Sequence, residues 1–131
     1  MLQANVLLIG AGGLGSPIAL YLGAAGIGWL TIVDDDEVDT SNLQRQIAHR
    51  RAAVGTNKAE SAAMAVQAIN PSTRVRALQH RLSEAAMRAE VAQADLVIDA
   101  TDNALSRYVL NGLCWEQRRP LVSGAAVRWE G

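Results

Sequence analysis

The sequence predicts an α/β fold: a doubly wound, mostly parallel sheet of the Rossmann-like kind. Three observations carry that prediction. Short runs of branched and aliphatic residues alternate with longer helix-like stretches along the chain. The first two runs, within the uncharged stretch that ends at Val33, are nearly continuous in apolar residues, as in strands covered on both faces. A glycine-rich turn joins the first run to the first helix-like stretch.

Val6 to Ile9 is the first strand and ends in glycine. Pro17 suits the first turn of the helix that follows, whose apolar residues continue to Ala25, and Gly26 and Gly28 stop it. Leu30 to Val33 is the second buried strand, ending at Asp34, which completes a βαβ unit. Asp34 to Gly55 interrupts the alternation with the polar run DDDEVDTSNLQRQ, in which Ser41 can cap a short helix. A connection this long in a compact domain usually has a function. Lys58 to Ile69 is a helix stopped by Asn70 and Pro71, and Arg74 to Leu78 is the third strand. Ser83 to Ala92 is helical with Ser83 as its cap, Leu96 to Asp99 is the fourth strand, Ala104 to Gln117 a helix, and Leu121 to Ala126 the fifth strand. The chain stops just after that strand, and a sheet ending there would leave an apolar edge uncovered, so a truncation after the fifth strand is expected.

Composition narrows the function. With 131 residues, half of them hydrophobic, the chain is one domain in length and can bury a core. A formal net charge of −1 with no dense block of Lys or Arg argues against a general nucleic-acid binder. No charged side chain occurs from Met1 to Val33, which is long enough to raise a membrane span, but GAGGLGSP breaks the run into a strand and a helix. No Lys or Arg precedes the apolar part, so a secretory signal is not expected either. Cys114 is the only cysteine, which leaves no internal disulfide and fits a reducing cytoplasm. It lies inside a helix and outside any motif, the setting of a small buried hydrophobe.

Gly10, Gly12 and Gly15 form a GxGxxG pattern between a strand and a helix. The first glycine permits a tight turn, the second lets phosphate approach the backbone, and the third lets the helix pack closely on the strand. Amides at the helix N-terminus then face an anion. Asp34, at the end of the second strand, is placed to take ribose hydroxyls. NAD and ATP both offer ribose and phosphates to such a unit, so the pattern alone does not choose between them. Arg45 and Lys58 are cations suited to neutralising a triphosphate, and Lys58 stands near a helix start, where the macrodipole disfavours a cation unless an anion is close. Both residues also read as solvated surface charges. Asp102, in DATDN after the fourth strand, falls at the sheet edge where open α/β folds bind ligands. It can hold Mg²⁺ against phosphates, or Thr101 or Asp102 can simply cap the next helix. Asp99, inside the strand end, receives no role.

The motifs GAGGLG, VDDDEVDTSNLQRQ, VGTNKAESA, INP, DATDN and PLVSGAA occur in one order, and from Val6 to Gly131 the chain resembles the ThiF and MoeB family of adenylyltransferases, relatives of ubiquitin-activating enzymes. The resemblance implies a partial ATP-binding adenylation domain over residues 1–131. Its activity would be ATP-dependent adenylation of the C-terminal glycine of a small ubiquitin-like sulfur-carrier protein ending in Gly-Gly, with release of pyrophosphate. ATP and Mg²⁺ would be bound. Gly10, Gly12 and Gly15 would form the nucleotide loop, Asp34 would bind the ribose, and Asn42, Arg45 and Lys58 would contact the phosphates. Asp102 would serve the metal and the reacting phosphate, so that Arg45, Lys58 and Asp102 form the catalytic set.

The family pattern also includes an N-terminal helical segment with an arginine reaching the partner's ATP site, a carrier-binding C-terminal half, and two Cys-x-x-Cys pairs for structural zinc. This stretch shows none of them, so structural Zn²⁺ would have a place only in a missing C-terminal part, and a homodimer is expected of the complete protein. The competing readings are an NAD-dependent oxidoreductase domain and a noncatalytic nucleotide-binding pseudoenzyme subunit.

Overall fold

The computed structural model describes residues 4–12, 15–35, 56–101 and 104–123. Within them five strands and four helices alternate: β1 (Asn5–Ile9), α1 (Gly15–Ala25), β2 (Trp29–Val33), α2 (Lys58–Ile69), β3 (Arg74–Leu78), α3 (Glu84–Gln93), β4 (Leu96–Asp99), α4 (Ala104–Gln117) and β5 (Leu121–Ser123). All neighbouring strands pair in parallel, in the order β3-β2-β1-β4-β5. This is the doubly wound α/β architecture expected from the sequence, with its reversal of strand order between β1 and β4.

The two-residue period of a strand divides the core between the two faces. Val6 and Leu8 of β1, Leu30 and Ile32 of β2 and Ile98 of β4 pack with Ala19 and Leu22 of α1 and with Ala59, Ala62 and Val66 of α2. Leu7 and Ile9 of β1, Val33 of β2 and Val97 of β4 pack with Val91 of α3 and with Leu110, Leu113 and Cys114 of α4. The central strands therefore bury both faces, and their continuous apolar sequences follow from that. The outward side of α4 leaves Leu105, Tyr108 and Trp115 exposed.

The boundaries follow local chemistry. α1 starts at Gly15, two residues before Pro17, because a first-turn residue needs no N–H for the helical ladder. Asn57 caps α2, its Oδ1 accepting from the amides of Ala59 (2.8 Å) and Glu60 (3.2 Å). Ser83 caps α3 through Oγ, which accepts from the Ala86 amide at 3.1 Å, as its sequence position suggests. α4 ends on Arg118 at φ 58°, with the Arg119 amide donating to the Cys114 carbonyl and the Arg118 amide to the Trp115 carbonyl. That pair of bonds is a Schellman motif with arginine where glycine is usual. β2 begins one residue earlier than its apolar run suggests: the Trp29 amide donates to the Ala4 carbonyl, and the Arg74 guanidinium lies 5.2 Å from the Trp29 ring centroid. Of the expected fifth strand Leu121–Ala126, Leu121–Ser123 is seen paired with β4, and the remainder lies outside the described residues. The suggested cap at Ser41 lies outside them as well.

Candidate functional site

Where strand order reverses, the connections leaving β1 and β4 depart to opposite faces of the sheet, α1 on one side and α4 on the other. A crevice at the C-terminal edge is the geometric result, and open α/β sheets bind their ligands there. Gly10 ends β1 at φ 98°, a left-handed conformation that favours glycine, and its amide donates to the Val33 carbonyl at 2.8 Å. A Cβ at Gly10 would stand 3.2 Å from the backbone carbon and oxygen of Ala100, so the turns after β1 and β4 touch. A Cβ at Gly15 would stand 2.0 Å from the Gly10 carbonyl oxygen, so only glycine lets α1 start this close to the strand end. Gly12 lies between them and is half-buried.

Asp34 follows β2 immediately. Its carboxylate Oδ2 accepts from the Ala11 amide of the glycine turn at 2.8 Å, and its own amide donates to the Leu78 carbonyl at the end of β3. The acid at the end of the second strand and the glycine turn are thus joined directly. Asn57 approaches from the other side: its Nδ2 donates to the Asp34 carbonyl at 2.7 Å, while its Oδ1 caps α2. Lys58, the first residue of α2, is buried beside this cap. Gly10, Gly12, Gly15, Asp34 and Lys58, which the sequence marks separately, accordingly gather at one sheet edge. Asn42, Arg45 and Asp102 lie outside the described residues.

β4 delivers a second polar arrangement to the same edge. Asp99 is 1% exposed; its Oδ1 accepts from the Thr101 amide (2.9 Å) and hydroxyl (2.7 Å), and its Oδ2 from Arg107 Nε (3.1 Å). Arg107 also donates to the Thr101 carbonyl at 2.8 Å. The arginine of α4 and the acid of β4 therefore hold the Thr101 peptide groups on both sides, immediately before Asp102. Sequence reasoning passed over this pair and Asn57. An aspartate ending a strand that is otherwise apolar was the available signal, because a buried carboxylate needs a cation or several donors. Cys114 packs below Asp99 on the α4 face; burial, then the Asp99 charge, push its thiol pKa up, so it stays a protonated and unreactive core residue.

No group of three or more His, Cys, Asp or Glu residues among the described residues could hold a metal ion. No described helix is long and apolar enough to cross a membrane. The glycine turn, the start of α1 and Asp34 fit a nucleotide's phosphates and ribose, since they bring backbone amides and a carboxylate to one crevice.

The ThiF family model matches residues 1–131. The chain belongs to the ThiF family. Its relatives include the SAMP-activating enzyme E1 of Haloferax volcanii, 47% identical over the whole of this chain and 48% of that protein. The molybdopterin-synthase adenylyltransferase of Escherichia coli is 47% identical over 98% of this chain and 52% of its own length. A probable adenylyltransferase/sulfurtransferase MoeZ of Mycobacterium tuberculosis is 49% identical over 98% of this chain and 33% of its own. This ThiF-family chain thus spans about half, or less, of the length of these relatives. Among solved structures, the E. coli tRNA N6-threonylcarbamoyladenosine dehydratase TcdA in complex with ATP superposes with a TM-score of 0.86 at 34% identity, covering 92% of this chain and 50% of that one. The same enzyme has been solved with AMP.

Proposed function

We propose that this chain is the ATP-binding part of an adenylyltransferase that activates the C-terminal glycine of a small ubiquitin-like sulfur-carrier protein ending in Gly-Gly. The observation that supports it best is the direct hydrogen bond between the glycine turn and Asp34, with buried Lys58 following the Asn57 that bonds Asp34, in a chain whose 47%-identical relatives include a named adenylyltransferase. Asp34 binds the ribose, and the amides of the turn and of the start of α1 meet the phosphates. Asn42, Arg45 and Lys58 supply further phosphate contacts.

A carboxylate oxygen of the carrier attacks the α-phosphorus of ATP. The bond from that phosphorus to the bridging oxygen of the β-phosphate breaks, and pyrophosphate leaves with its electron pair. Two anions must meet for this to happen, so the catalytic work is charge neutralisation and positioning. Arg45 and Lys58 carry out the first without any covalent intermediate on the enzyme. Asp102, together with the phosphates, would hold Mg²⁺, which neutralises charge on the triphosphate when bound. The assembly is a cytoplasmic homodimer.

Exchange of labelled pyrophosphate into ATP tests this reading in the protein that carries this domain. Exchange that requires both Mg²⁺ and a carrier with an intact Gly-Gly tail is expected. Binding of NADH with no exchange would replace the reading with an oxidoreductase, and ATP binding with no exchange would replace it with a noncatalytic subunit.

A further inference from the structure

Asn57 makes three kinds of contact with one amide. Its Oδ1 accepts from Ala59 and Glu60 and caps α2; its Nδ2 donates to the Asp34 carbonyl at 2.7 Å; and the same Nδ2 stands 3.5 Å from the Gln79 carbonyl, beyond β3. A cap needs only the oxygen. Serine, threonine and aspartate supply one equally well, but none offers an amide donor on the far side of the acceptor. The Nδ2 bond therefore has a consequence beyond capping. It ties the residue that follows β2 to the residue that precedes Lys58, across a sequence separation of 23. Asp34 is then held on three sides: at its amide by Leu78, at its carboxylate by Ala11 and at its carbonyl by Asn57.

We infer that Asn57 is a positioning residue for nucleotide binding, one that fixes the separation between the carboxylate of Asp34 and the cation of Lys58. The inference rests on the ATP reading given above. It deepens that reading by assigning the registration of ribose and phosphate subsites to an amide whose contacts are the Asp34 carbonyl and the first amides of α2. Two subsites on different elements recognise one ligand well only when their spacing is held before the ligand arrives, since otherwise binding must order them. β2 and α2 belong to different parts of the chain, separated by residues 34–57, so the hydrogen bond substitutes for a short connection.

Replacing Asn57 by Ser separates the two roles, and Asn57→Thr repeats the test with a second uncharged cap. Both keep an oxygen for the Ala59 and Glu60 amides, so thermal unfolding should shift little. Both lose the donor to Asp34, and the affinity for Mg·ATP in a calorimetric titration should fall about five- to tenfold, the worth of one hydrogen bond. Asn57→Ala should lose stability as well as affinity. In an Asp34→Ala background the Asn57→Ser change should cost clearly less affinity than it does alone, because contacts in one network are not additive. Ser and Thr variants that bind Mg·ATP like the parent would overturn the inference and leave Asn57 a helix cap alone. Full additivity with Asp34→Ala would overturn it too, by showing that the amide acts apart from the ribose acid. A parent that binds no ATP at all would overturn the ATP reading itself, and the inference with it.

Discussion

At the scale of single residues, the polar groups of this chain answer to two needs, a ligand's and the core's. Asp34 is read as answering to the ligand, and its replacement by Ala should weaken ATP binding by roughly 1.5–3 kcal/mol, the scale of hydrogen bonds to a charged group. A folded Asp34→Ala variant with the parental dissociation constant would remove it from the site. Asp99 answers to the core. With Asp99 buried and Arg107 partly open to solvent, Arg107→Ala should destabilise by about 2–3 kcal/mol, less than a fully buried pair would lose, because it strands a carboxylate. Adding Asp99→Asn to that variant removes the stranded charge and should restore part of the loss in a denaturant titration. Cys114 has a folded-state pKa above its unfolded one, so its contribution to stability is complete below the ordinary thiol range of about 8.5 and declines as pH rises through the raised value. At neutral pH a thiol-alkylating reagent should leave it unmodified until the protein is unfolded; fast alkylation of folded protein would contradict the burial.

At the scale of elements, most of the organisation was legible from the sequence. Val6–Ile9, Leu30–Val33 and Leu96–Asp99 stand as apolar runs because helices cover both sides of the central strands, and Ser83 marked a helix start through an oxygen that needs only local geometry. What escaped was non-local. The reach of Asn57 to Asp34 spans 23 residues and that of Arg107 to Asp99 spans eight, and no periodicity records such pairings. Trp29 lies outside the expected strand Leu30–Val33, yet its backbone bond and the overlying Arg74 keep it in β2. α4 ends at Gln117 as its sequence suggests, but the left-handed Arg118 that stops it has no sequence signature. Replacing Arg118 by Gly should therefore stabilise the domain by about 0.5–1 kcal/mol through relief of that conformation. An unchanged or lower melting temperature would show that the arginine side chain contributes more than its backbone costs.

At the scale of the whole molecule, the order β3-β2-β1-β4-β5 brings together residues that are far apart in sequence. The glycine turn, Asp34 and Lys58 meet because β1 and β2 are adjacent and α2 returns to the same edge, whereas Asp99 and Thr101 arrive from across the strand-order reversal. The candidate site was thus legible in its residue types and in its edge of the sheet, while the hydrogen bonds that register its parts were not. Asn42 is marked through the resemblance alone, Arg45 and Asp102 also by residue type and position; all three lie outside the described residues, so their roles stand as proposals for mutagenesis. The central claim is chemical: a carrier's terminal carboxylate becomes an acyl adenylate. Intact-mass measurement of a Gly-Gly carrier incubated with Mg·ATP and the protein that contains this domain tests it most directly. The expected result is a carrier heavier by one adenylyl group at its terminal glycine, with pyrophosphate formed in equal amount and both reduced in the Asp34→Ala variant at ATP concentrations below saturation. An unmodified carrier, in a reaction where the same protein demonstrably binds ATP, would contradict the claim.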